Sequence, residues 1–103
     1  GSLVGFARVS SELKSFNTRL DHSVGTTVTM PRGDVCDSGK REGAGLEFYA
    51  YDNVRHHNAG HAGITIAVVV EPQSIVDYVY SGKSAFQPSF FRACSYTVIG
   101  TLD

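Results

Sequence analysis

Hydrophobic and polar residues alternate with a period of two along much of this chain, which is the pattern of half-buried antiparallel strands. Residues 24–30 and 46–51 show the alternation most clearly. In the second stretch a leucine and a phenylalanine face one side, while Glu47 and Tyr49 face the other. Both stretches are therefore predicted to be strands of an antiparallel sheet.

A third strand is predicted at Ile64–Val70, where the alternation is lost and the residues are apolar on both sides. That pattern favours a central strand covered on both faces. Proline follows at position 72, where a type I turn prefers it, so residues 75–80 are predicted to return as a hairpin; a short helix starting at Pro72 is the alternative. Leu3–Val9 and residues 94–99 also have strand patterns.

One helix is predicted, at residues 11–20, because Leu13, Phe16 and Leu20 recur at helical spacing behind serines that can cap the first turn. The chain is thus predicted to be one α+β domain spanning residues 1–103. It would consist of an antiparallel sheet of five or six strands with this helix packed on one face. The alternative is an all-β sandwich.

Composition fits a soluble globular protein and argues against some partners. The 103 residues are 42% hydrophobic and 18% charged, with a formal net charge of −1. The scattered basic residues lack the concentrated positive charge that duplex DNA or an anionic membrane selects. No apolar run reaches the ~18–20 residues that span a bilayer. We expect a monomer or a weak homo-oligomer.

The two cysteines, Cys36 and Cys94, allow one intramolecular disulfide that would close a long loop. Cys36 lies in a polar stretch where a free thiol would be exposed and reactive. We therefore expect a bridged, exported protein, secreted or periplasmic. A cytoplasmic protein with two unpaired thiols remains the alternative.

The richest chemistry lies in residues 53–63, a glycine-punctuated segment that holds three of the four histidines: His56, His57 and His61. These imidazoles suit zinc or copper, with Asp52 or Glu47 completing the ligand set. Asn58 and the glycines argue against a helix, which the spacing of His57 and His61 would need to place both ligands on one face. Metal binding is therefore an alternative, and no cofactor is the first expectation.

The same segment has the residue types for acid–base catalysis on a phosphodiester. His57 and His61 would transfer protons while Arg55 held the negative charge, as in a hydrolase or a nuclease-like toxin. His22, and a tyrosine at position 49 or 51, are further candidates for such a site. The sequence supplies these residue types without the geometry.

Arg32-Gly33-Asp34 follows Pro31 in the long segment 31–45. An exposed tripeptide of this kind suits an adhesive ligand, and it is equally ordinary turn chemistry, with glycine between two solvated charges.

No complete catalytic or cofactor motif is visible, so the first functional hypothesis is a small, exported, non-enzymatic binding domain. Loops on a rigid scaffold commonly carry binding. The loops 31–45 and 53–63 would form the contact surface for a protein or small-molecule partner. The residues expected to bind it are Arg32, Asp34, Arg55, His56, His57 and His61.

Overall fold

The structure is a computed structural model, and it describes residues 1–15, 19–30, 45–50, 63–80 and 89–102. These residues form seven strands and one 3₁₀ turn at Pro72–Ser74. The strands are β1 (Leu3–Val9), β2 (Thr27–Thr29), β3 (Leu46–Phe48), β4 (Ile64–Val70), β5 (Ile75–Val79), β6 (Phe90–Ala93) and β7 (Ser95–Thr101).

Four of the strands form an antiparallel sheet in the order β1-β4-β7-β2. β4 lies inside this sheet, where its continuous apolar sequence predicts it, and Ile66, Val68 and Val70 are fully buried. The β4–β7 pair has a bulge at Ala67/Val68. β2 forms one edge of the sheet and pairs antiparallel with β7. The side chains of Thr27 and Thr97 also form a hydrogen bond, with 2.9 Å between their Oγ1 atoms.

The other three strands form a second antiparallel sheet in the order β3-β6-β5. Among the described residues, the two sheets are joined by chain connections and by hydrogen bonds. Cys94 is the single residue between β6 and β7, so one length of chain bends there from the second sheet into the first. On the other side, Phe6 of β1 and Tyr49 exchange two backbone hydrogen bonds, 2.9 and 2.7 Å long.

The main core lies where the two sheets face each other, and its buried residues come from both. Its buried members are Ala7, Val9, Val28, Leu46, Phe48, Ile66, Val68, Val70, Ala93, Tyr96 and Val98. Phe48 stacks on Phe91, with 5.2 Å between ring centroids, and its ring also lies against Gly5. A Cβ at position 5 would stand 2.4 Å from Cδ2 of Phe48, so only glycine admits this ring.

A second, smaller cluster lies on the opposite face of the three-stranded sheet. It consists of Tyr49, Val79 and Phe90, with Phe6 packed against it. Side chains alternate between the faces of a strand, so Phe90 points away from the main core while Phe91 points into it. Both faces of this sheet are thus buried at its centre, where the alternating pattern of residues 46–51 predicted one solvated face.

The predicted α+β fold is wrong. The described residues contain no α-helix, and the strands form two sheets of four and three rather than one of five or six. An all-β arrangement, the alternative considered, is nearer to this architecture.

The chain turns back where the helix was predicted. Leu13 has φ 62°, a left-handed conformation that ends a right-handed helix, and Lys14 instead forms an isolated bridge to Asp21. The Ser10 hydroxyl accepts the backbone N–H of Glu12 at 3.3 Å, as a helix cap would, and also that of Lys14 at 3.3 Å. A helix of ten residues is marginal without packing, and Leu13 and Leu20 contact the core from this irregular backbone instead.

The hairpin predicted after β4 is also wrong. The turn at Pro72–Ser74 carries the chain out of the four-stranded sheet, and β5 pairs with β6 in the other one.

No helix among the described residues is long and apolar enough to cross a membrane.

Candidate functional site

The residues expected first to bind a partner, a metal or a substrate lie outside the described part of the chain, whereas the further candidates His22, Glu47 and Tyr49 lie within it. Those outside the described part are Arg32, Asp34, Arg55, His56, His57 and His61, and Cys36, Tyr51 and Asp52 lie outside it as well. Their roles stay predictions. Within the described ranges, no group of three or more His, Cys, Asp or Glu side chains is arranged to hold a metal ion.

The points where the loop 31–45 leaves and re-enters the sheets are described, and both lie beside the bend at Cys94. The N–H of Met30 donates to the carbonyl of Cys94 at 2.7 Å. At the other end, Leu46 stands opposite Ala93, the residue before the bend. Gly45, directly before β3, has φ 143°, a conformation that favours glycine.

The loop 53–63 is held in a similar way on the two sides of β1. It follows Tyr49, which is hydrogen-bonded to Phe6 on one side of β1. It ends before Ile64, which pairs with Val9 on the other side. Gly63 precedes this strand with φ 140°, so both loops end in a glycine of positive φ immediately before a strand.

His22, the fourth histidine, is a buried side chain with both ring nitrogens hydrogen-bonded. Its side chain is 1% exposed, Nδ1 lies 2.9 Å from the carbonyl oxygen of Leu20, and Nε2 lies 2.8 Å from the hydroxyl of Tyr96. A carbonyl can only accept, so Nδ1 carries the proton and Nε2 accepts from the Tyr96 hydroxyl. The ring also meets the Tyr96 ring edge-on at 5.6 Å.

Burial sets the protonation of this pair. Desolvation lowers the pKa of His22, and the hydrogen bond to Leu20 and the negative charge of Asp21 oppose the shift without reversing it. Burial also raises the pKa of Tyr96, as the negative charge of Glu47 does to a smaller extent. Both side chains are therefore neutral near pH 7. This placement favours a structural role for His22 over the acid–base role considered from the sequence.

A row of charged side chains crosses the three-stranded sheet. Register places Arg92 of β6 opposite Glu47 of β3 on one side and opposite Asp77 of β5 on the other. Arg92 is 0% exposed, and its Nη1 donates to Oδ2 of Asp77 at 2.9 Å. Its guanidinium carbon lies 5.4 Å from the centroid of the Phe90 ring, within cation–π range.

Glu47 contributes to the same face in another way. The hydroxyl of Tyr49 donates to Oε1 of Glu47 at 3.2 Å. The face thus carries one guanidinium and two carboxylates beside a buried aromatic cluster. This arrangement suits a structural network, because a buried charge must be paired to be tolerated.

Sequence reasoning missed three of these six polar groups: Arg92, Asp77 and Tyr96 were assigned no site, whereas His22, Glu47 and Tyr49 were candidates. The alternation in β6 offers a signal for Arg92, because it shares the face of Phe90 two positions earlier. The pairing of Arg92 with Asp77 and the contact of Tyr96 with His22 cannot be predicted without the strand order.

Comparison with known proteins identifies no relative: no family model, no curated protein and no solved structure matches this chain.

Proposed function

We propose that this protein is a small, exported, non-enzymatic binding domain whose contact surface is formed by the loops 31–45 and 53–63. The partner is taken to be another protein. Together the loops hold roughly the 20–30 residues that one side of a standard protein interface uses.

The observation that carries the proposal is how the two ends of each loop are attached to the sheets. The loop 31–45 begins directly after Met30, which is hydrogen-bonded to Cys94, and the loop 53–63 begins four residues after Tyr49, which is hydrogen-bonded to Phe6; each loop ends at a glycine of positive φ immediately before a strand. Rigid attachment reduces the ordering cost of binding, which is why binding loops are commonly carried on sheets.

The buried polar groups of the described residues support the proposal that the loops bind the partner and that the sheets have a structural role. His22 and Arg92 are almost inaccessible, and their hydrogen bonds are made to Tyr96, Leu20 and Asp77 inside the fold. They hold the scaffold together, which leaves the charged and imidazole side chains of the two loops as the groups proposed for recognition.

Binding is tested with two loop variants and a matched control. R32A/D34A alters the first loop and R55A/H57A/H61A the second, while T27A/T97A removes an exposed hydroxyl pair from β2 and β7. Labelled protein is applied to peptide arrays, glycan arrays and intact cells. We expect the wild type and the control to give the same signals and both loop variants to lose them. Signals that survive in both loop variants contradict the proposal.

The enzymatic rival is tested on the same proteins. Each is incubated with a chromogenic phosphodiester and with single-stranded RNA, and product release is measured. We expect none above the buffer rate. Turnover by the wild type that disappears in H57A, with an unchanged melting temperature, would replace the binding proposal by the histidine-dependent hydrolase.

A further inference from the structure

The chain between β1 and β2, residues 10–26, contacts the core through Leu13 and Leu20 and through the buried side chain of His22. We propose that His22 is a pH-sensitive lock: neutral His22 fastens this segment to Tyr96, and protonation in a mildly acidic environment releases it. The described residues of the segment are 10–15 and 19–26. The proposal does not depend on the partner of the two loops.

The buried position of His22 favours the neutral imidazole in its contact with Tyr96. Nε2 accepts the Tyr96 hydroxyl proton at 2.8 Å, while the protonated Nδ1 donates to the carbonyl of Leu20. A second proton would have to bind at Nε2, and the Tyr96 hydroxyl would then have to rotate its own proton away and accept from Nε2 instead. A charge would be left in a site that is 1% exposed, with no carboxylate hydrogen-bonded to either ring nitrogen.

The charged groups around His22 do not compensate for this burial. Asp21 is adjacent in sequence but fully exposed, and its carboxylate accepts hydrogen bonds from the backbone and hydroxyl of Ser23. Lys14 faces Asp21 across the isolated bridge and places a positive charge nearby. On β7, the described residue that contacts His22 is Tyr96, which is neutral. The negative charge of Glu47 raises the pKa of Tyr96.

The segment itself is poorly suited to hold its own conformation. Leu13 and Arg19 have φ 62° and 59°, a left-handed conformation that is strained for residues other than glycine. Backbone hydrogen bonds join the segment to itself, including those from the N–H of His22 to Leu13 at 2.7 Å, of Ser10 to Lys14 at 2.9 Å and of Ser15 to Leu20 at 3.0 Å. At its C-terminal end the N–H of Gly25 donates to Val98 of β7 at 2.8 Å. A segment of this kind opens locally before the strands do.

The direction of the pH effect follows from the lowered pKa of His22. The unfolded segment binds the proton more tightly than the closed one, so its stability is full above about pH 6.5 and falls as the pH drops below that value. The loss ends once the pH is below the pKa of the buried group. Opening would expose Leu13 and Leu20, which contact the core in the closed state.

Residue-resolved hydrogen exchange at pH 7.5 and pH 5.0, corrected for intrinsic rates, tests the lock. We expect protection of the Ser15 and His22 amides to fall at pH 5.0, by up to about tenfold for each pH unit between the pKa of an exposed histidine and that of His22. Amides of β4 should keep their protection. Equal opening of the segment at both pH values would overturn the proposal.

Two variants assign the effect to the right histidine. H22Q keeps polar groups at the position but does not titrate, and we expect it to remove the pH dependence. H56A/H57A/H61A retains His22 and should keep it; the opposite result would overturn the proposal. If H22Q does not fold, an NMR titration of the wild-type His22 imidazole replaces it. A pKa at or above that of an exposed histidine would then overturn the lock.

Discussion

Arg92 and Asp77 form an ion pair across neighbouring strands, with Nη1 and Oδ2 2.9 Å apart and side-chain exposures of 0% and 11%. Such a pair adds little net stability over an apolar pair of the same size, because burying both charges costs nearly as much as their attraction returns. Removing only one partner is different, since the other charge stays buried.

D77A is therefore expected to lower the free energy of unfolding by roughly 3–5 kcal/mol, toward the lower end because Glu47 stands on the other side of Arg92. Urea unfolding measures it. E71A is the control, because Glu71 is exposed and its carboxylate accepts a hydrogen bond from the Ser2 hydroxyl. Its replacement should change the free energy of unfolding by no more than about 0.5 kcal/mol. Similar losses in the two variants would show that the buried pair is not what matters.

Gly5 and Phe48 predict a second stability effect. G5A places a methyl group against the Phe48 ring, and overpacking of this kind costs about 1–3 kcal/mol. G100A is the matched control, because a Cβ there meets nothing within 4 Å and we expect little change. Combining G5A with F48L should recover part of the loss in a double-mutant cycle. Additive effects would contradict the contact.

The glycines that end the two loops give a third prediction. G45A and G63A force alanine into φ 143° and 140°, so each should destabilise the protein by about 1–3 kcal/mol. Thermal unfolding measures the effect, with G100A again as control. If the loops bind as proposed, these variants should also weaken binding at temperatures where they remain folded. Unchanged stability in both would show that neither loop is fixed by its glycine.

The predicted Cys36–Cys94 disulfide is tested by thiol titration of the unfolded, unreduced protein. Met30 and Leu46, which flank the loop that carries Cys36, lie beside the bend at Cys94, and Cys36 itself lies outside the described residues. We expect no reactive thiols, and we expect reduction to cost about 2–5 kcal/mol. C36S/C94S should match the reduced protein in stability. Two reactive thiols would disprove the bridge and weaken the case for export.

For His56, His57 and His61, we expect zinc to leave the melting temperature unchanged at neutral pH. Alanine at His57 or His61 should change stability by only a few tenths of a kcal/mol, as is usual for surface substitutions. A zinc-dependent rise that disappears below about pH 6 would instead show metal binding, since the ligands must lose their protons to bind.

The strands were predictable where burial is decided by local pattern. Ile64–Val70 is apolar on both sides, and it lies between two other strands. The assignment of strands to two sheets was not predictable in this way, because β5 is directed to its partner by the turn at Pro72–Ser74 and not by its own residues.

The predicted helix failed for a related reason. Leucines at helical spacing also fit a backbone that turns back on itself, provided that other contacts hold it. Those contacts come from Tyr96, more than seventy positions away, and from the bridge between Lys14 and Asp21. A local window of sequence contains neither the partner nor the left-handed conformation of Leu13.

The bend at Cys94 constrains the order in which the protein can fold. The strand that leaves the bend, β7, lies between β4 and β2 in the middle of the four-stranded sheet, although it follows every other described strand in the chain. During synthesis, that sheet cannot be completed until residues 95–101 have emerged. Until then β2 cannot pair with β7, and Val28 lacks Tyr96, the residue opposite it in the sheet. Formation of this sheet is thus expected to be slow, since pairings this distant in sequence must form together.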